Sequence, residues 1–388
     1  MFVMKIARLL QLAVFLAFIS AMSLMTHADS ESVVADRLEF TLPLGIPQDV
    51  WAYYIPKENP LTRSKVELGR ELFFDKRLSA DSSISCASCH DPQLAFTDGK
   101  QFSEGVGGRF GTRNAPSILN AMFNSGQFWD GRAATLEEQA KLPFINPDEM
   151  GNTSLDEVVA RVRNIETYPD KFRRVFGGDV TIDKVAMAIA AYERTLVSAD
   201  SPFDRFQAGD RAAMTDAAKR GLLIFRTKGR CNICHNINAS FPFLTDQNYR
   251  NTAVAANHKS FDALTERATK LVQQNNSRSS LLALSGERGG AELGRFVVTG
   301  NTLDIGAFRT PSLRNVELTA PYFHDGSAKT LAEVVRYYVK GGNDHPLRDW
   351  ELGALLMSDE EQHDLVEFLK SLTSDEAKAM AAKSMKKE

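Results

Sequence analysis

Cys86-Ala87-Ser88-Cys89-His90 and Cys231-Asn232-Ile233-Cys234-His235 are two copies of Cys-x-x-Cys-His, and between them they use all four cysteines of the chain. That spacing is the attachment signature of c-type haem: two thiols add to the porphyrin vinyl groups, and the imidazole of the next residue binds the iron. Other cysteine chemistry fits less well. A zinc ribbon separates its pairs by about 15–20 residues, far less than the gap from Cys89 to Cys231. A thioredoxin-type pair needs no following histidine, and disulfides in an exported chain leave both histidines unexplained. The sequence therefore predicts two covalently bound c-type haems.

A haem with two strong axial ligands carries electrons, whereas one with an open position beside an acid–base group is a catalyst. Between His90 and Trp129 there is no histidine and a single methionine, Met122, and the glycine-rich loop Gly105–Arg113 supplies no good iron ligand. Further along stand Gln139, Pro143 and Glu149, the last within Asn146–Met150. Cleaving a peroxide O–O bond needs a group that takes the proton from the bound oxygen and delivers it to the leaving one. A carboxylate in an apolar pocket, with an amide beside it, suits that work. The plainer reading of Glu149, from its residue type alone, is a solvated loop glutamate.

The segments that must position these residues come twice. Thr112–Glu138 aligns without a gap on Ala307–Glu333: Pro116 falls on Pro311, Asn120 on Asn315, Phe128 on Phe323, Asp130 on Asp325, Gly131 on Gly326 and Thr135 on Thr330. The same register sets Trp129 opposite His324 and Pro143 opposite Tyr338. Each copy follows one Cys-x-x-Cys-His, so each half reads as one haem-binding unit. The second half carries an extra polar, glycine-dotted stretch, Asn236–Gly306, which reads as a long loop over the second haem. Apolar spacing of three and four predicts helices over Ser64–Phe74 and Ala217–Arg226, both leading into the cysteine motifs, and over Leu155–Val162. Helices are also predicted over Ile182–Val197 after Thr181, over Leu331–Val339 after Thr330, and over Asp359–Leu372. Strand-like alternation is scarce. The expected fold is all-α, two cytochrome c-like domains over residues 29–200 and 201–388, each binding one covalent c-type haem.

Residues 1–28 read as a secretory signal, with Lys5 and Arg8 in the n-region, an apolar run from Leu9 to Met25, and Thr26-His27-Ala28 before the cut. Covalent haem attachment takes place outside the cytoplasm, so signal and motif agree on the periplasm. Loss of Lys5 and Arg8 moves the formal charge from −3 to −5, and no basic run stands out, which argues against nucleic acid. No second apolar stretch is long enough for a membrane span after signal cleavage.

RNAPS (113–117), FWDGRA (128–133), NPDEM (146–150), PSLRN (311–315) and TAPYFHDGS (319–327) follow in order, and Gln139, Pro143 and Glu149 keep their spacing among them. In these motifs, from about Pro60 to Leu372, the chain resembles the bacterial di-haem cytochrome c peroxidase superfamily, which includes MauG-type protein-modifying enzymes. The resemblance implies that His90 is the proximal ligand of the peroxide-reacting haem and Glu149 its acid–base residue. Gln139 and Pro143 then line the distal pocket, and Trp129 relays electrons or holes between the haems. His235 becomes the proximal ligand of the second haem. Asn114, with the backbone carbonyls of Thr319 and Pro321, resembles the family's inter-haem calcium site, an oxygen-rich set suited to a hard cation.

Two departures point to the MauG-like branch. Many di-haem peroxidases carry a distal histidine in the loop matching Gly105–Arg113, and none is present here. They also place a methionine on the second haem where this chain has Tyr338; tyrosinate favours ferric and higher states, methionine ferrous iron. Tyr337 is a rival ligand and Met357 a more distant one, while His324 and His345 read as polar support. A third departure cuts the other way: methylamine-dehydrogenase-maturing members have a surface tryptophan where Gly229 sits, and Trp51 and Trp350 do not occupy that place. The resemblance implies a periplasmic enzyme that activates hydrogen peroxide at the first haem and oxidises a residue of a partner protein through the second. The alternatives are a cytochrome-c peroxidase fed by a small cytochrome or copper protein and, in another class, a non-catalytic di-haem electron carrier.

Overall fold

The computed structural model describes residues 36, 38, 40–274, 278–287 and 289–382; the expected signal lies outside them. Among the described residues no helix is long and apolar enough to cross a membrane, and the only ladder is a two-residue antiparallel pair, β1 (Tyr249–Arg250) with β2 (Phe308–Arg309). The rest is helix and ordered turn. The main helices are α1 (Arg63–Phe74), α2 (Leu136–Ile145), α3 (Leu155–Asn164), α4 (Tyr168–Phe176), α5 (Ile182–Glu193), α6 (Asp216–Arg226), α7 (Phe261–Gln273), α8 (Leu331–Val339) and α9 (Asp359–Lys370).

Local signals start these helices. Thr62, Thr135, Ser154, Thr181, Thr215, Thr330 and Ser358 each sit in extended backbone and accept a hydrogen bond from an amide of the first turn. That satisfies donors that otherwise have no partner inside the helix. α5 stops at Glu193, short of the predicted Val197. The Thr195 hydroxyl donates to the Tyr192 carbonyl at 2.6 Å, a local side-chain bond that competes with helix continuation.

Helices α1 and α5 cross in direct backbone contact: a Cβ on Gly69 would lie 1.8 Å from the Ala188 carbonyl oxygen. The second half repeats the device, because a Cβ on Gly221 of α6 would lie 1.9 Å from the Asp364 carbonyl oxygen of α9. In each half the cysteine motif packs against the leading helix, α1 or α6. The aligned segments also share backbone conformation. Asn120 and Asn315, Phe128 and Phe323, and Gly131 and Gly326 all have positive φ, which is uncommon for bulky residues and marks a fixed turn. Bridges Gln127↔Ala133 and Tyr322↔Ala328 close the same turn in each half.

Leu68, Leu72, Phe73, Phe144, Phe172 and Ile189 belong to one apolar core in the first half; Leu222, Phe225, Leu331, Val335 and Phe368 belong to a second. The repeated asparagines meet at the junction. Asn120 exchanges hydrogen bonds with the Ser198 backbone, and Asn315 donates to the Ser198 hydroxyl. The stretch Asn236–Gly306 corrects one expectation: it is a small packed unit rather than an open loop. Phe261, Leu264, Ala268, Leu284, Leu293 and Phe296 form its own core, and α7 shows the spacing, with apolar residues at 261, 264, 268, 271 and 272.

Candidate functional site

Each cysteine pair sits in a single helical turn whose following histidine is half-buried and anchored. The His90 Nδ1 lies 3.1 Å from the Phe96 carbonyl oxygen, and the His235 Nδ1 lies 3.0 Å from that of Leu244. Donation from Nδ1 fixes the tautomer and leaves Nε2 with a lone pair for a metal. Burial lowers both imidazole pKa values, so the neutral, ligating form is the one held. The four cysteines are free thiols, not disulfides. Burial pushes Cys89 and Cys234 up to about 11, and Cys231 to about 12.

Glu149 follows α2, which carries Gln139 and Pro143 one turn apart on the same face. Past Ile145 the chain folds back: the Met150 amide donates to the Pro143 carbonyl at 3.2 Å, and the Asn146 carbonyl accepts from the Glu149 and Gly151 amides. The Asn146 side chain donates to Glu149 Oε1 at 2.8 Å. The loop from Gly105 packs on this turn. A Cβ at Gly105 would lie 2.2 Å from the Asp148 carbonyl oxygen, and the Val106 amide donates to the Glu149 carbonyl at 2.9 Å. Burial raises the Glu149 carboxyl above its ordinary value, while the Arg132 charge and the Asn146 bond pull it back. After burial, the Glu149 charge contributes to raising the Cys86 and Cys89 thiols, so it acts on the first motif. Glu149 is thus not the solvated loop residue of the plainer reading.

The second motif opens on a large cavity. Cys231, Cys234, His235, Phe323 and Tyr338 line it, as do Trp129, Asn114, Thr319 and Pro321. Tyr338 and Tyr337 have separate uses. The Tyr337 hydroxyl donates to the Thr252 carbonyl at 2.8 Å and accepts from the Asn343 amide. Tyr338 reaches the cavity instead, and burial raises its phenol. Met357 packs against the second core. His345 Nδ1 accepts from the Leu347 amide. His324 is stacked on Phe308 with ring centroids 3.6 Å apart, and its Nε2 lies 2.7 Å from a Glu292 carboxylate oxygen.

Between the two motifs the repeat becomes a crossed pair of hydrogen bonds. The Asn114 amide donates to the His324 carbonyl at 2.8 Å, and the Arg309 amide donates to the Trp129 carbonyl at 2.7 Å. Asn114 and Arg309 correspond in the aligned segments, as do Trp129 and His324. The Trp129 indole donates to the Asn114 carbonyl at 2.8 Å, which fixes the ring at this crossing. Asn114 Oδ1 and the Thr319 and Pro321 carbonyls accept no hydrogen bond among the described residues, and all three residues line the cavity. Among those residues no cluster of three carboxylate, histidine or cysteine side chains could hold a metal. Gly229 has no room for a larger residue without movement, since a Cβ there would lie 2.8 Å from the Ile224 carbonyl oxygen. Trp51 is buried against Phe40, whereas Trp350 is exposed.

Residue reasoning missed Arg309, which lines the cavity. The signal was available in the repeat, where it stands opposite Asn114.

A family model described as di-haem cytochrome c peroxidase matches residues 63–212. The methylamine utilization protein MauG of Methylorubrum extorquens is 36% identical over 90% of this chain and 88% of its own length. A cytochrome-c peroxidase of Denitromonas iodatirespirans is 38% identical over 83% of this chain and 85% of its own. The crystal structure of a MauG-like protein associated with microbial copper homeostasis superposes with a TM-score of 0.69 at 30% identity, covering 88% of this chain and 95% of that one.

Proposed function

The chain belongs to the di-haem cytochrome c peroxidase family, which includes MauG, and from that premise we propose that it activates hydrogen peroxide at the His90 centre and draws the electrons through the His235 centre from a residue of a partner protein. The family makes it a haem peroxidase. The finer reading takes residues 29–200 and 201–388 as the two haem domains, with thioether bonds to Cys86 and Cys89 in one and to Cys231 and Cys234 in the other. Free, paired thiols beside anchored imidazoles support it. Haem iron held by His90 would supply the O–O bond cleavage.

The residues of the chain do the rest. Glu149, raised by burial and steadied by Asn146, takes the peroxide proton and returns it to the leaving oxygen. Gln139 and Pro143 shape the pocket from one face of α2 and exclude water. Trp129, pinned at the crossing, couples the two centres. Asn114, Thr319 and Pro321 would hold a calcium ion. The N-terminal signal and the haem-attachment motifs together support a periplasmic setting.

The observation that carries the protein-oxidising branch is Tyr338: it faces the second cavity while its neighbour Tyr337 is bound to backbone. Gly229 favours the second reading, a cytochrome-c peroxidase fed by a small redox protein, because no tryptophan fits there without movement. Stopped-flow absorbance of the fully oxidised protein with stoichiometric peroxide and no reductant separates them. A fast, long-lived spectral change at both haems is expected. A protein that reacts only after one haem is reduced would sink the proposal.

A further inference from the structure

Four arginines line the second cavity, and three of them have carboxylate partners: Arg230 with Glu351, Arg250 with Asp246 and Asp349, and Arg314 with Asp204. Arg309 has none among the described residues. It is 7% exposed, its only side-chain hydrogen bond runs from a terminal nitrogen to Asn124 Oδ1 at 3.1 Å, and its Nε has no partner. Tyr249, its partner across the β1–β2 ladder, is a titratable group that acts on it. Burial of an unpaired guanidinium is costly enough that such charges are paired or neutralised in native proteins. Among the described residues none supplies the anion, so the anion comes with what fills the cavity.

We infer that Arg309 is the counter-cation of a propionate carboxylate on the second haem, an inference that rests on the haem reading of the Cys231–His235 cavity. Haem carries two propionates on one edge, and the guanidinium fork suits a carboxylate. The position also serves a second purpose. The Arg309 amide holds the Trp129 carbonyl at 2.7 Å, so one residue fixes the haem edge with its side chain and the inter-haem tryptophan with its backbone. In the repeat Arg309 stands where the first half has Asn114, so one side of the crossing offers an oxygen to a cation and the other a cation to an anion. Arg309 is therefore a positioning residue that sets the charge next to the second haem.

The test uses the purified holoprotein with Arg309→Met and Arg309→Lys. Haem content by pyridine haemochrome, the midpoint potential of the second haem, and its propionate-bending band in resonance Raman spectra are read together. Two haems per chain are expected in the wild-type protein. Arg309→Met is expected to lower the second midpoint potential and shift the propionate band, or to lose the second haem, while Arg309→Lys keeps the haem and most of the wild-type potential. A Met variant with wild-type potential and band overturns the inference alone, as does a Met and Lys pair that behave alike, because the effect then does not follow charge. One haem per chain in the wild-type protein overturns the haem reading itself and the inference with it.

Discussion

At the scale of single residues, the site turns on how burial divides similar side chains between tasks. Glu149 and Asp148 are adjacent, yet the Asp148 side chain keeps 44% of its surface exposed while burial raises the Glu149 carboxyl. Tyr337 and Tyr338 are adjacent, yet only one is committed to backbone. For Glu149 the consequence is kinetic. In the proposed role its ionised form is the base, so the rate of peroxide reaction is expected to rise with pH through a value above the ordinary carboxylate value of about 4.3. Burial places that value high; Asp148 adds to it, and Arg132 and Asn146 oppose it. Glu149→Gln is expected to slow the reaction by roughly 100-fold or more and to flatten the profile. Single-mixing kinetics against pH check both, and a Gln variant with the same slope and rate would remove Glu149 from the chemistry. The residue types of Gln139, Pro143 and Glu149 were legible as a pocket only through the family resemblance. A lone glutamate on a loop does not announce its burial, which arises here from the Gly105 loop packing on the Asp148–Glu149 turn.

Helices are legible where a cap and a period coincide. Arg63–Phe74, Leu331–Val339 and Asp359–Lys370 lie within two residues of their expected limits. The helix Leu136–Ile145 escaped although Thr135 aligns with Thr330, because Gln139 and Pro143 interrupt its apolar stripe. Tertiary contact also decides what periodicity cannot show, and α5 is the example. Its terminal Glu193 is buried, its Oε2 has no hydrogen-bond partner, and burial pushes the carboxyl up to about 8, with Arg194 opposing and Glu137 adding. Between the ordinary carboxylate value and about 8 the unfolded chain has released this proton while the folded chain keeps it, so this group's contribution to stability falls as pH rises. Glu193→Gln keeps the shape without the titration. The melting temperature of the variant relative to wild type is expected to match near pH 4 and to gain steadily toward pH 8. Differential scanning calorimetry at several pH values tests this, and a difference that does not vary with pH would show that Glu193 stays ionised in the folded protein.

For the whole molecule, duplication does more than supply two haem sites, because the copies face each other across their own repeated residues. Asn114 reaches the His324 carbonyl and Arg309 the Trp129 carbonyl, while Asn120 and Asn315 grip Ser198 together. The sequence register already contained these pairs, but not that they cross, since pairing between copies is a property of packing rather than of either segment. The proposed cation would sit at this crossing. Asn114 comes from the first half and Thr319 and Pro321 from the second, so an ion on their oxygens ties the halves at the level of Trp129. All three donors are neutral, and calcium sites weaken as ligand charge falls. The ion is therefore expected to come away with a chelator without unfolding the protein. EGTA treatment is expected to confine the peroxide-induced spectral change to the first haem by loosening the Trp129 crossing. Added calcium should restore the response at both haems, whereas magnesium, which demands tighter octahedral geometry and gives up water reluctantly, should not. Elemental analysis that finds no calcium in the purified protein, together with a peroxide response indifferent to EGTA, would leave the halves tied by hydrogen bonds alone, those of the crossing and those of Asn120 and Asn315 to Ser198 among them.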